Sequence, residues 1–339
     1  MNSIARIVSW MRLAIGVCRY VISGQTPPVA YQALIRLFCM SGGGSNDFLS
    51  RCLKRLRGPC ELPTPSGVLG NLSDRQLSAV ADILRKDGYY VFPNKLPADL
   101  CDRLLRFGLH QPSSVREDER PALDASMRRV YGDDRSMPRG VRYDVAPQDL
   151  LANKDVQDLL SDPSILGVAQ AYLESPPIAD VLSMWWHTAY ANEPSAAAAQ
   201  FYHFDMDRIK WLKFFIYLTD VGPDNGPHSF VARSHRTGGI PADLLSKGYA
   251  RLTDEDVGKH YRSEDVIEFV GARGTVLVED TRGLHKGKHV TTGDRLILQL
   301  QFSNSLFGGA YPKARLPTNL TSQLSTMIRL YPAIYRSFS

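Results

Sequence analysis

Apolar positions along the chain change period about halfway. From Ser73-Asp74, Leu77, Val80, Ile83 and Leu84 recur at helical spacing, and Gly88 supplies a stop. Tyr89-Tyr90-Val91-Phe92 reads as a short strand closed by Pro93. Pro97-Ala98-Asp99 opens a second helix through Leu100, Leu104, Leu105 and Phe107, and Leu159 to Leu173 forms another. Residues 110–140 are polar and rich in Arg, Asp and Pro, the pattern of a long surface loop. Beyond them the chain turns aromatic and β-branched. Val181 to Tyr190, Trp211 to Leu218, Val266 to Val270, Thr275 to Glu279 and Arg295 to Phe302 all read as strands, with turns at Asp224-Asn225-Gly226 and Thr292-Gly293-Asp294. Helices first and strands after predict an antiparallel two-sheet barrel of jelly-roll type with helices packed outside it.

The first 70 residues read as a separate basic, helical extension. They end in the loop formers Ser41-Gly42-Gly43-Gly44-Ser45-Asn46, Gly58-Pro59 and Pro63-Thr64-Pro65-Ser66-Gly67. Residues 71–310 form the barrel domain, and 311–339 a tail packing on it. Residues 1–60 hold eight basic side chains against Asp47 alone, so the overall charge of +5 belongs to the extension and the rest is slightly acidic. No basic stripe with stacking aromatics crosses the body, which excludes a nucleic-acid partner. Ile4 to Ile22 is apolar but broken by Arg6, Arg12 and Arg19. That is too interrupted for a bilayer span or a secretion signal. It leaves a helix packed on the body or on a partner as the first expectation. A peripheral membrane contact through residues 1–22, with Trp10 and the arginines at a lipid surface, is the second. Five cysteines in no zinc-binding pattern suit a reducing, cytoplasmic compartment.

Chemistry concentrates at Phe201-Tyr202-His203-Phe204-Asp205. In a strand, positions i and i+2 share a face. His203 and Asp205 would then project together and take two adjacent positions on one metal ion. A 2-His-1-carboxylate set leaves three positions open. The third ligand is expected near a later strand, and Gly283-Leu284-His285 follows Thr275 to Glu279. Arg295, ten positions on, opens an otherwise apolar run. A buried guanidinium beside a metal suits a dicarboxylate such as 2-oxoglutarate held between the two. Asp207 is the rival carboxylate. Gly283 and Gly287 argue against a helical metal pair of His285 with His289, which reads as a loop residue. His187, His228 and His235 read as structural or surface histidines, and His110 and His260 as solvated ones. Trp185, Trp186, Tyr202 and Trp211 are either pocket lining or core.

These stretches together resemble the phytanoyl-CoA dioxygenase family. GYYVFPNKLPADLCDRLL (Gly88 to Leu105) resembles the opening of its domain, and Phe201 to Asp205 its first metal motif. IYLTDVGPDNGPHSFVARSH (Ile216 to His235) resembles its strand, Asn-Gly turn and Gly-Ser-His segment, and Gly274 to Phe302 its distal histidine and arginine strands. The likeness spans roughly residues 73–305. It implies a mainly β, double-stranded β-helix (jelly-roll, cupin-like) with flanking helices. It also implies iron(II), with 2-oxoglutarate and dioxygen as cosubstrates acting on a small-molecule substrate. His203, Asp205 and His285 match the family's iron ligands, Arg295 its 2-oxoglutarate anchor, and Asn192 and Thr188 positions of cosubstrate contact. Retention of Asp205 favours hydroxylation or desaturation over halogenation. The family's Pro-Gly-Ser-His turn reads Ala232-Arg233-Ser234-His235 here, a loss of glycine expected to change the turn. A zinc- or manganese-dependent hydrolase or isomerase, or a non-catalytic binding protein on the same barrel, are the alternatives. Arg295 argues against the first and the complete ligand set against the second.

Overall fold

The computed structural model describes residues 3–117, 128–196, 198–248 and 250–338. The basic extension forms three helices: α1 (Ser3–Ser23), α2 (Pro28–Ser41) and α3 (Gly44–Leu56). Two helices precede the barrel, α4 (Asp74–Asp87) and α5 (Ala98–His110). Ser73 caps α4 in a capping box with Gln76, and Gly88, at φ +92°, ends it. The predicted helix over 159–173 is interrupted at Ser161-Asp162-Pro163. The Asp162 side chain caps a fresh start there, giving α6 (Pro163–Leu173).

Eight antiparallel strands make the larger sheet. In chain order they are β1 (Tyr89–Val91), β2 (Pro112–Arg116), β3 (Arg128–Val130), β4 (Arg142–Val145), β5 (Ile178–Thr188), β6 (Trp211–Tyr217), β9 (Val276–Glu279) and β11 (Asp294–Ser303), ordered β1-β9-β6-β11-β5-β4-β2-β3. The smaller sheet is β7 (His228–Val231), β8 (Val266–Phe269) and β10 (His285–Gly287), with β7 between the other two. Residues 110–140 therefore contain strand pairing in place of the long loop expected. β2 alternates, with Ser113 and Val115 buried, and it pairs with β3 and β4 to extend the sheet. Residues 118–127 lie outside the described residues.

Side-chain alternation divides the core in two. On β6, Leu212, Phe214 and Ile216 point outward, as do Leu296, Leu298 and Leu300 on β11. They join a large apolar cluster with Val80, Leu84 and Leu104 of the covering helices. Phe215 and Tyr217, with Trp185, Ile297 and Leu277, point inward against Phe230 and Phe269 of the smaller sheet. Of the four candidate lining aromatics, Trp186 faces outward and donates to the Gly108 carbonyl at 2.9 Å. Trp211 donates to Thr281 Oγ1 at 2.8 Å. Trp185 lies on the inner face, and Tyr202 joins the cluster formed with the extension.

The extension is not isolated from the barrel. Leu13, Leu34, Leu37 and Phe38 form one buried cluster with Tyr202, Phe204 and Met206. Phe38 stacks on Phe204 with ring centroids 5.3 Å apart. Asn46 of α3 donates to the Ile209 carbonyl at 2.9 Å, and Asp47 meets Arg282 at 2.8 Å.

Candidate metal centre

Residues 201–205 are not a strand, contrary to the sequence expectation. They form an extended segment held by single bridges, Tyr202 to Leu252 and His203 to His285. The bridge is reciprocal: the His203 N–H donates to the His285 carbonyl at 3.0 Å and the His285 N–H to the His203 carbonyl at 2.9 Å. The Asp205 N–H donates to the Thr281 carbonyl at 2.8 Å. The i, i+2 argument survives because the segment is extended. His203 and Asp205 turn to one side while Phe204, on the other, packs on Phe38.

One ligand atom from each of His203, Asp205 and His285 lies within 4.8 Å of the other two, and all three side chains are buried. His203 Nε2 is 3.8 Å from Asp205 Oδ1, and His285 Nε2 is 3.4 Å from Asp205 Oδ2. Bonds of about 2.1 Å to one ion place neighbouring donors about 3 Å apart, so the cluster fits a metal with small adjustments. Each imidazole is oriented through its other nitrogen. His203 Nδ1 lies 2.9 Å from the Phe201 carbonyl and His285 Nδ1 2.9 Å from the Gly283 carbonyl. An N–H donated there leaves Nε2 as the lone-pair nitrogen in both rings.

The charges are balanced within the barrel. Burial works against an ionised Asp205, but Lys213 Nζ, 2.6 Å from its Oδ2, and then His285 hold the carboxyl well below the usual carboxylate range. Lys213 also reaches Asp207 at 2.9 Å. Asp207, the rival ligand, faces Lys213 and the Tyr311 hydroxyl and lies outside the cluster. Burial lowers His203 well below the ordinary histidine value, with the charge of His285 adding to it. Burial also opposes a proton on His285, yet Asp205 outweighs it and shifts that ring upward. Burial, against the opposing charges of His285 and Lys213, raises Glu279 to about 8 and, helped by His285 and Arg295, pushes His228 well below its usual value. The 2.9 Å contact between them is thus a neutral pair in which the Glu279 carboxyl O–H donates to His228 Nε2.

Arg295 is 1% exposed and points inward from β11. Its Nη2 donates to His187 Nδ1 at 2.6 Å, while Nε and Nη1 have no partner. Burial lowers its pKa only to about 10, so it stays charged at neutral pH. A Cβ on Gly287 would fall 3.0 Å from Nη2. Gly287 lies two residues beyond His285 on β10, so the guanidinium sits about 6–7 Å along the strand from the metal ligand. Buried donors without partners are costly, so a carboxylate fits here.

The other sequence candidates are not part of the three-residue cluster. Thr188 is buried with its hydroxyl donating to the Gly140 carbonyl at 2.7 Å, and Asn192 is exposed. His187 and His228, read as structural or surface histidines, sit inside the barrel beside Arg295 and Glu279. Arg128 and Arg129 of β3 pair with Asp149 and Asp134, whereas Arg142 of β4, opposite His187, pairs with Asp144 and lies 4.5 Å over the Trp185 ring of the inner face. Arg233 takes the place of the family's glycine at φ +68°, so the turn keeps its left-handed residue, with the side chain paired to Asp265. Lys213 and Glu279 escaped the sequence reading, although each is a charged residue in an apolar run at an inward-facing position of its strand. A cavity of about 680 Å³ between α2 and residues 238–248 is lined by no residue of this centre.

No curated protein matches the chain. Among solved structures, it is similar to the non-heme alpha ketoglutarate dependent epimerase SnoN from nogalamycin biosynthesis. The identity is 18% over 68% of this chain and 84% of that one, with a TM-score of 0.45. It is also similar to EctD from S. alaskensis with bound Fe, at 17% identity over 76% and 88%, TM-score 0.45. HygX from Streptomyces hygroscopicus, with nickel, 2-oxoglutarate and hygromycin B bound, is 17% identical over 75% and 94%, TM-score 0.45. The sequence profile of phytanoyl-CoA dioxygenase (PhyH) matches residues 84–296, from the last turn of α4 to one residue past Arg295. That span takes in the three clustered ligands and the buried arginine together, and the chain belongs to the phytanoyl-CoA dioxygenase family.

Proposed function

We propose that this protein is a non-haem iron(II)- and 2-oxoglutarate-dependent dioxygenase that hydroxylates a small-molecule or lipid-like substrate, with release of succinate and carbon dioxide. The observation that carries the reading is the pairing of the His203–Asp205–His285 cluster with a buried Arg295 that has two donors to spare. Iron, when bound, would supply the chemistry that lets dioxygen act as the oxidant, with two electrons taken from 2-oxoglutarate as it becomes succinate and carbon dioxide and two from the substrate C–H bond. The chain's own part is placement. His203, Asp205 and His285 would hold the ion from one side and leave the other open. Lys213 engages Oδ2 of Asp205, so the carboxylate would ligate through Oδ1 alone. Arg295 would receive the distal carboxylate on an open edge of its guanidinium, where Nε and Nη1 still have no partner, while His187 holds Nη2. The neutral Glu279–His228 pair and the aromatic inner face keep stray charge and water away from the reacting centre. A hydrolase would have no use for a second, cationic anchor two residues along the strand from its metal.

The test is anaerobic titration of the metal-free protein with iron(II) and 2-oxoglutarate, following the weak visible charge-transfer band of the chelate. The band is expected in the wild type and absent in His203→Ala. An iron-loaded wild type without the band would rule the 2-oxoglutarate reading out.

A further inference from the structure

The two expectations for the first helix turn out to be compatible. One face of α1 is packed: Ser9, Leu13 and Gly16 are buried. Gly16 lies so close to α2 that a Cβ there would collide with that of Ala30, so α1 is seated without freedom to roll. The opposite face carries Ile4, Ile7, Met11, Ile15, Cys18 and Ile22, each three or four residues from the next. The five large side chains among them are 54 to 88% exposed, and Cys18 is exposed as well. Such spacing makes one continuous apolar stripe along the helix. Arg12 and Arg19, seven residues apart and exposed, border it, and Arg6 is exposed near its start. No acidic residue occurs before Asp47. No described helix is long and apolar enough to cross a membrane.

We infer that α1 is a membrane-surface helix that rests its Ile4–Ile22 stripe in the interface of an anionic bilayer. The charge pattern selects this occupant. In a symmetric pair of chains the same patch faces itself, so arginine borders would meet arginine borders with no carboxylate of α1 or α2 between them. Six side chains on one helix also fall well short of the roughly 20–30 residues a side of a stable protein interface. An anionic headgroup layer answers both features. Isoleucine and methionine enter the acyl boundary, while the arginines extend along it to the phosphates. Trp10 is not a lipid anchor here, because it is half-buried against Phe48 of α3. The stripe is rigidly joined to the barrel through α2 and Phe38, so docking would hold the whole body at a defined orientation to the surface.

The experiment is co-sedimentation of the full chain with vesicles of phosphatidylcholine alone or mixed with phosphatidylserine. Binding is expected only to the mixed vesicles, and it should weaken as salt rises from about 0.1 to 0.5 M. The double variant Ile7→Asp/Ile15→Asp should lose roughly tenfold or more in partitioning for each aspartate, with an unchanged melting temperature because both positions face outward. Arg12→Glu/Arg19→Glu should abolish the preference for the anionic lipid. The inference is overturned if the wild type ignores anionic vesicles or if the aspartate variant binds them equally. It is equally overturned by a lipid-free dimer that the aspartate variant dissolves, which would assign the stripe to a second copy of this chain.

Discussion

Arg295 and His187 face each other directly across the β5–β11 ladder, with Nη2 2.6 Å from Nδ1. Burial, followed by the charges of Arg295 and Arg142, keeps His187 neutral, so it accepts from the guanidinium. One of three guanidinium nitrogens is thereby engaged, while Nε and Nη1 keep N–H groups without a partner.

Replacing Arg295 by Ala should weaken 2-oxoglutarate binding about 10²- to 10³-fold, the scale of losing a bidentate charged contact. Iron(II) affinity in the absence of the cosubstrate should stay within a factor of a few. Arg295→Lys should rescue little, since an ammonium lacks the planar fork. Titrations of the two ligands separately decide it; a parallel loss of iron binding would mean that Arg295 supports the barrel and not the cosubstrate.

Lys213 sits between two buried carboxylates, 2.6 Å from Asp205 and 2.9 Å from Asp207. Lys213→Met leaves them uncompensated and should destabilise the metal-free protein by about 3–5 kcal/mol. A divalent ion at Asp205 restores positive charge, so the rise in melting temperature on adding manganese(II) should be larger in the variant than in the wild type. Equal rises would show that Lys213 and the ion do not share Asp205.

Glu279 predicts a pH dependence in the metal-free protein. Its carboxyl is raised by burial to about 8, whereas in the unfolded chain it titrates near 4.5. Between those values the unfolded state has lost the proton and the folded state keeps it. Stability therefore falls as pH rises through the window, by about 3–5 kcal/mol at its upper end. Glu279→Gln retains a donor to His228 and removes the titration. Its melting temperature relative to the wild type should climb steadily from pH 5 to pH 8, and a constant offset would contradict a protonated Glu279.

Phe38 of the extension stacks on Phe204, the residue between two of the clustered ligands. Phe38→Ala should cost about 3–5 kcal/mol and also loosen iron(II) binding, because the 203–205 segment is held by an isolated bridge and the Asp205–Thr281 bond in place of a continuous ladder. Leu324→Ala, in a buried position of the helix Ser322–Leu330, is the comparison. It should lower stability while leaving the metal affinity unchanged. The same metal affinity in both variants would separate the extension from the centre.

Much of this protein was legible in one dimension. Aromatic and β-branched runs located β5, β6, β9 and β11 to within a few residues, because strands buried on both faces are apolar nearly throughout. The helix start at Ser73-Asp74 and the stop at Gly88 are local chemistry and legible as such, while the capping box with Gln76 shows only in the structure. His203, Asp205, His285 and Arg295 stood out because histidine, carboxylate and arginine are conspicuous in apolar surroundings. Their assembly into one cluster was a different matter. It depends on the bridge between His203 and His285, 82 residues apart, and on the ladder that brings Arg295 to His187. The strands within 110–140 were hidden by polar sequence, since β2 and β3 take their order from a neighbouring edge and not from their own hydrophobicity. Arg233 shows the opposite failure: a missing glycine suggested an altered turn, and the surrounding structure imposes the left-handed conformation regardless. Composition and periodicity determined which residues could be buried and which carried chemistry. Only the tertiary structure decided which of them meet, because proximity across a barrel is set by register and packing, and neither is local along the chain.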